Sequence, residues 1–271
     1  MIHPIDAGLR TLMQSGKPMR GLFNGLSSPA LVEMTAFAGY DFTIIDNEHG
    51  SAGLETTEHM LRAARASGLP ALVRCLEHDI ARTLDAGASG LQIPMIRDAA
   101  HAKEIADKVR YPRSTGYAGE GGVSGQRGCA YSVRAAGYGA FGSAAHNEKS
   151  NQDVMLVLML ETVPAIEAAF EIASTPGVDA VFIGPNDLAH SMGHENRFYE
   201  PAVQAMIEIG VKGIVRAGKC AGVLALTPED EARYASWGAR YFANVITGVI
   251  TKALKDNASA GRGDEVAKLT Y

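Results

Sequence analysis

Val154-Met155-Leu156-Val157-Leu158-Met159-Leu160-Glu161, followed after a helical segment by Ala180-Val181-Phe182-Ile183-Gly184-Pro185-Asn186-Asp187, decides how the rest of the chain is read. Two unbroken apolar runs of strand length flank an amphipathic segment. A run–helix–run of this kind is a β-α-β unit, and unbroken apolarity means strands covered on both faces. Successive strands of a parallel sheet or barrel point the same way. Glu161, directly after the first run, and Asp187, just beyond the second, therefore emerge at one C-terminal edge, where α/β folds carry their chemistry. Two hard oxygen donors on adjacent strand ends suit a divalent cation that keeps positions open for substrate. The plainer alternative makes Glu161 a helix cap and Asp187 a turn residue. Either acid alone fits it, whereas the matched pair favours the metal.

Outward from this unit the same alternation recurs. Strand-length runs fall at 21–26, 41–46, 71–75, 90–95, 154–160, 180–183, 221–226 and 241–246, most with a helical pattern behind them. Helix starts carry their usual signals: Ser27-Ser28-Pro29, Asp98, and Thr227-Pro228. Eight strands alternating with helices over 271 residues predict a single (β/α)8 TIM barrel. A doubly wound sheet is the second choice, and no GxGxxG follows the first strand to support it. Segment 114–151 is the exception to the rhythm: rich in Gly, Ala and Ser, and too long for an ordinary connection. Lying between strands four and five, it is expected to be a functional loop on the chemical face, a lid or an oligomer contact. The polar tail after Ala258 is expected to be loosely held.

Composition narrows the function. A formal net charge of −5 and the lack of a Lys/Arg cluster argue against nucleic acid or an anionic membrane as partner. No apolar run reaches the roughly 18 residues of a membrane span. The start, Met1-Ile2-His3-Pro4, lacks the basic-then-apolar order of a signal peptide. Cys75, Cys129 and Cys220 lie far apart, reading as reduced, buried thiols of a cytoplasmic protein.

Strand ends supply the remaining candidates. His49 lies just past the second strand, where an imidazole can act as general base if a neighbour fixes its tautomer. Arg74 ends the third, poorly placed for a core but well placed to meet an anion or a developing enolate. A structural salt bridge is its plainer role. Gly184-Pro185-Asn186 turns tightly and could offer backbone N–H groups to a carboxylate. Nothing local gives Asp85 a role.

A resemblance then becomes visible. Glu33-Met34-Thr35-Ala36-Phe37-Ala38-Gly39-Tyr40-Asp41-Phe42-Thr43-Ile44-Ile45-Asp46-Asn47-Glu48-His49-Gly50, Leu72-Val73-Arg74, Leu91-Gln92-Ile93-Pro94-Met95, Arg110-Tyr111-Pro112, Leu160-Glu161-Thr162 and Phe182-Ile183-Gly184-Pro185-Asn186-Asp187-Leu188 resemble, in the same order, the HpcH/HpaI aldolases. These are class II, metal-dependent pyruvate aldolases. The resemblance covers roughly residues 18–250. It implies that Glu161 and Asp187 ligate magnesium, manganese or cobalt, which chelates pyruvate and stabilises its enolate. It also implies that His49 is the base, that Arg74 faces the enolate, and that Gly184, Pro185, Asn186 and Asp187 line the carboxylate pocket. Asp85 aligns with an aspartate that orients the histidine of a neighbouring subunit. The implied assembly is a homo-oligomer, a trimer or a hexamer built as a trimer of dimers, with the last helix exchanged between partners.

The sequence also departs from that family. Met159 stands where familiar members carry a substrate-contacting glutamine, and a thioether neither donates nor accepts comparably. The segment after Arg74 is shorter, and Arg110-Tyr111-Pro112 is separated from Gly125-Gln126-Arg127-Gly128 by extra residues, so an unusual aldehyde acceptor is expected. The expected reaction is cleavage of a 4-hydroxy-2-oxoacid to pyruvate and an aldehyde, and its reverse. Oxaloacetate decarboxylation, or a coupling that starts from it, would use the same enolate. A non-catalytic metabolite-binding barrel is the alternative of another class.

Overall fold

The structure, a computed structural model, describes residues 1–112 and 124–260. Eight parallel strands close into a barrel in sequential order: β1 (Met19–Asn24), β2 (Phe42–Asp46), β3 (Ala71–Arg74) and β4 (Gly90–Ile93), then β5 (Met155–Leu160), β6 (Ala180–Ile183), β7 (Cys220–Leu224) and β8 (Tyr241–Val245). Closure of β8 against β1, with Gly21 beside Ala243, leaves no edge among these strands. Fold class and the expected strand sequence are both borne out.

The helices begin with α1 (Gly8–Gln14), α2 (Pro29–Phe37), α3 (Leu54–Ser67) and α4 (Ile80–Asp85). Next come α5 (Ala99–Val109), α6 (Ala144–Asp153), α7 (Val163–Glu167) and α8 (Ala169–Ser174). The last four are α9 (Pro185–Ser191), α10 (Pro201–Arg216), α11 (Pro228–Ser236) and α12 (Ile246–Ser259). The sequence caps work as read. Asp98 accepts the His101 N–H at 2.8 Å, and Thr227 with Asp230 forms a capping box.

Strand β5 shows why the apolar runs are continuous. Met155, Val157 and Met159 join the core inside the barrel, while Leu156, Leu158 and Leu160 join the layer between sheet and helices. Small residues make room for rings inside. A side chain at Gly21 would meet the Phe42 ring, and one at Gly222 the Phe182 ring. Alternation also aims the polar ends. Glu161 keeps the parity of Met159, Asp46 that of Ile44, and Arg74 that of Leu72, so all three turn inward at the mouth. Helix α1, absent from the sequence reading, closes the opposite end with Leu9 and Met13.

Segment 114–151 requires a correction. It follows α5, which returns to the N-terminal end of the barrel, so it is a helix-to-strand connection and its described part lies on the face opposite the mouth. Arg134 donates to the Ala86 carbonyl at 2.7 Å, and Arg127 donates to Asp85 at 2.9 Å, at the C-terminal end of α4. Its described part carries a 3-10 helix at Arg134–Gly139 ahead of α6. Gly121-Gly122 and the tail beyond 260 lie outside the described residues. No described helix is long and apolar enough to cross a membrane.

Candidate active site

Four carboxylates and one guanidinium meet at the barrel mouth. Arg74, at the end of β3, donates through Nε to Asp46 Oδ1 at 2.8 Å and through Nη2 to Asp46 Oδ2 at 2.5 Å. Register makes this pairing, since Asp46 and Arg74 are direct partners on neighbouring strands. Asp46 also accepts the N–H groups of Glu48 (3.1 Å) and His49 (3.2 Å), folding the post-β2 turn over the arginine. The guanidinium stacks on Phe23, 4.7 Å from the ring centre, so its plane is fixed as well. Burial alone would raise the Asp46 carboxyl, but the hydrogen bonds and charge of Arg74 outweigh it and hold the group below the usual carboxylate range.

Glu48 completes the arginine's surroundings, its Oε2 lying 3.2 Å from Nη1. The pair has ionic proximity without hydrogen-bond geometry, because the same Oε2 is buried with no hydrogen-bond partner. Burial raises the Glu48 carboxyl, with the Arg74 charge opposing. Glu161, 3% exposed, accepts a hydrogen bond from the Met95 N–H at 2.6 Å. It is thus no cap for α7, which starts at Val163 after an uncapped Thr162. Met95 reaches it from the left-handed region at φ 59°, a conformation that costs a non-glycine residue and is held by its surroundings. The Glu161 carboxyl is pushed up to about 7, first by burial and further by the charges of Asp187 and Glu48.

Glu161 packs against the backbone of Gly184. A methyl there would stand 2.8 Å from Glu161 Cγ and 3.0 Å from Oε1, so only glycine fits. Asp187 lies in the first turn of α9. The expected row of backbone donors is shifted. Gly184 spends its N–H on the Leu160 carbonyl at 3.0 Å, and Pro185 has none. Asn186 and Asp187, early in α9, have no carbonyl four residues back within the helix.

A cavity of about 550 Å³ opens over this group, bordered by Arg74, His49, Met159, Gly184, Asn186 and Asp187, among others. Its floor is apolar: Met159, 2% exposed, packs in one cluster with Phe23, Phe182 and Leu224. The His49 side chain is 66% exposed, with Nε2 4.0 Å from Glu48 Oε2. The fold therefore gathers His49, Arg74, Glu161, Gly184, Pro185, Asn186 and Asp187 at one end. It does not bring Asp85 there; at the end of α4, Asp85 bonds Arg127 on the opposite face. Asp46, Glu48 and Met95 escaped the sequence reading as site residues. Two of them stood in the quoted Asp46-Asn47-Glu48-His49 block, and inward parity was the available signal.

Fold and site define a TIM-barrel enzyme whose chemistry lies at the C-terminal mouth. The chain belongs to the HpcH/HpaI aldolase/citrate lyase family, which it matches over residues 20–252. It is 33% identical to a hydroxypyruvate/pyruvate aldolase of Delftia acidovorans, covering 96% of this chain and 91% of that protein. A 2-keto-3-deoxy-L-rhamnonate aldolase of Shigella sonnei is 32% identical, covering 90% and 87%. Among solved structures, a family protein from Burkholderia cenocepacia J2315 superposes with a TM-score of 0.86 at 29% identity, covering 95% of this chain and all of that one.

Proposed function

We propose that this protein is a divalent-metal-dependent lyase that cleaves 4-hydroxy-2-oxoacids to pyruvate and an aldehyde, reversibly. The observation that carries the reading is the charge imbalance at the mouth. Asp46, Glu48, Glu161 and Asp187 face a single guanidinium, Arg74. One cation against four carboxyl groups leaves an excess of negative charge, in which the charge of Asp187 adds to burial in raising the Glu161 and Glu48 carboxyls, and a buried Glu48 oxygen without a hydrogen bond. Such a set fits a divalent cation on Glu161 and Asp187. Two protein ligands would leave most coordination positions for water and substrate; among the described residues no group of three or more His, Cys, Asp or Glu side chains is arranged to hold a metal. Magnesium, manganese and cobalt all suit oxygen donors of this kind. A bound cation would supply Lewis acidity at the 2-oxo group.

The chain's own groups do the rest. In cleavage His49 accepts the proton of the 4-hydroxyl. The C3–C4 bond breaks, the new carbonyl leaves as the aldehyde, and the electron pair becomes the pyruvate enolate. Arg74, locked by Asp46 and Phe23, faces that developing charge without reorganising. The N–H groups of Asn186 and Asp187 suit the substrate carboxylate. Return of one proton to C3 gives pyruvate. Asp85 suits the role of orienting His49 of a neighbouring subunit, consistent with its place on the far face. Helix α12 buries only Ile246, with Val249 and Leu254 exposed, which supports its exchange between subunits of a homo-oligomer. Cys75 and Cys220 are buried as expected, Cys129 is exposed instead, and the three free thiols suit a cytoplasmic setting.

One observation favours a second reading: the His49 imidazole is exposed, and among the described residues its nearest acid, Glu48, stands 4.0 Å away, beyond hydrogen-bond distance. Oxaloacetate decarboxylation uses the same enolate and needs no base. His49→Gln separates the two. Under the aldolase reading it lowers pyruvate release from hydroxy-oxoacids about 100-fold or more while sparing oxaloacetate turnover. Equal effects on both would overturn the role of His49.

A further inference from the structure

The cavity's lining also specifies the acceptor, an inference that rests on the aldolase reading. Arg74, Glu161 and the Gly184–Asp187 turn occupy the side built by β3, β5 and β6. The opposite side comes from the ends of β1, β7 and β8: Gly25, Leu26, Leu224, Val245 and Thr247, with Ser51 closing from the turn after β2. This wall is apolar apart from two hydroxyls. Ser51 shares a 2.9 Å hydrogen bond with Ser27. Leu26 is set in place by its N–H, which donates to Asn24 Oδ1 at 3.2 Å.

Charge decides the class. Among the described residues lining the cavity, Arg74 is the one guanidinium or ammonium group, and it is held by Asp46 and Glu48. A carboxylate or phosphate on the acceptor would therefore lie against Leu26, Leu224 and Val245, unpaired, and face the acidic cluster across the cavity. Taking a charge out of water without a partner is costly. An alkyl or hydroxyalkyl chain instead buries apolar surface and finds hydroxyl partners at Ser51 and Thr247. Met159 removes a further polar contact from the floor. The cavity, about 550 Å³, holds pyruvate with room for a chain of several carbons.

We propose that the acceptor is an uncharged aldehyde with a short alkyl or hydroxyalkyl chain, selected by the Leu26–Leu224–Val245 wall against aldehydes bearing a carboxylate or phosphate. In the addition, C3 of the enolate bonds to the aldehyde carbon, and the aldehyde oxygen takes up one proton in place of the one lost from C3.

The test uses the full chain loaded with magnesium or manganese. Two rates are measured: exchange of the pyruvate C3 protons for deuterium without acceptor, and addition of pyruvate to propanal, glycolaldehyde, glyoxylate and succinic semialdehyde. The expected result is kcat/KM at least about ten-fold higher for the neutral pair, with Leu26→Arg narrowing or reversing that ratio. Normal exchange with a preference for the carboxylated pair overturns this proposal alone. Absence of both exchange and addition overturns the aldolase reading and this proposal with it. A Leu26→Arg protein that exchanges at the wild-type rate and keeps the wild-type preference overturns the assignment of the wall.

Discussion

Replacing Glu161 by glutamine changes the electrostatics of the mouth while keeping its shape, and the structure gives both the sign and the size of the effect. The Glu161 carboxyl rises from 4.5 to about 7, chiefly through burial. The folded state therefore keeps its proton up to about pH 7 while the unfolded chain releases it near 4.5, so the folded protein binds more protons across that window. Stability is unaffected below the window, falls as pH rises through it, and stays reduced above. The displacement corresponds to about 3 kcal/mol. Glutamine never ionises and still offers an oxygen to the Met95 N–H. With metal chelated, Glu161→Gln should match wild type near about pH 4 and exceed its stability by about 3 kcal/mol near about pH 8. Urea unfolding at a series of pH values reads this directly. Divalent cation at about 100 times its Kd should then add about 3 kcal/mol to wild type and less to the variant. A stability difference independent of pH, or a variant weaker than wild type at high pH without metal, would refute the reasoning.

Other parts of the account are tested by single changes. Gly184→Ala forces a methyl against Glu161 at 2.8 Å; a cost of about 1–3 kcal/mol should appear in denaturant unfolding, with weakened metal binding by calorimetry. Asp46→Ala strips Arg74 of its bidentate partner and should destabilise by about 3–5 kcal/mol, with a raised KM for the oxoacid. On the far face, burial pushes the imidazole of His146 down to about 4 from 6.5, so the folded state binds fewer protons between those values and stability is lost as pH falls through them. His146→Gln should flatten that acid limb in thermal unfolding; an unchanged limb would contradict the assignment.

The barrel was legible because both faces of β5 and β6 are packed, so they appear as unbroken apolar runs. Glu161 and Asp187 were legible because a strand end is a fixed place in such a fold. The position of segment 114–151 was misread for a topological reason: it follows a helix, and helix-to-strand connections lie away from the chemistry. Helix α6 was hidden because Ala144-Ala145-His146-Asn147-Glu148-Lys149-Ser150-Asn151-Gln152-Asp153 carries no apolar stripe. Helix α1 gave only Leu9 and Met13 to the core, too little periodicity to read. Glu48 was passed over beside the more conspicuous His49, and only the inward turn after Asp46 shows that it faces Arg74. Backbone donors behave similarly: the sequence marks Gly184 and Pro185 as a turn, but the Leu160 carbonyl that consumes the Gly184 N–H is a tertiary fact.

The central claim is that Glu161 and Asp187, beside the Arg74 pair with Asp46 and Glu48, hold a divalent cation at a site that generates a pyruvate enolate from a 4-hydroxy-2-oxoacid. Its most direct test is pyruvate release from a panel of such acids, with oxaloacetate included. The assay is run on wild type and Glu161→Gln, before and after chelation and with magnesium, manganese or cobalt restored. The account predicts release from hydroxy-oxoacids that is lost on chelation, recovered with metal and absent in the variant. Release that survives chelation, or persists in Glu161→Gln, would contradict it.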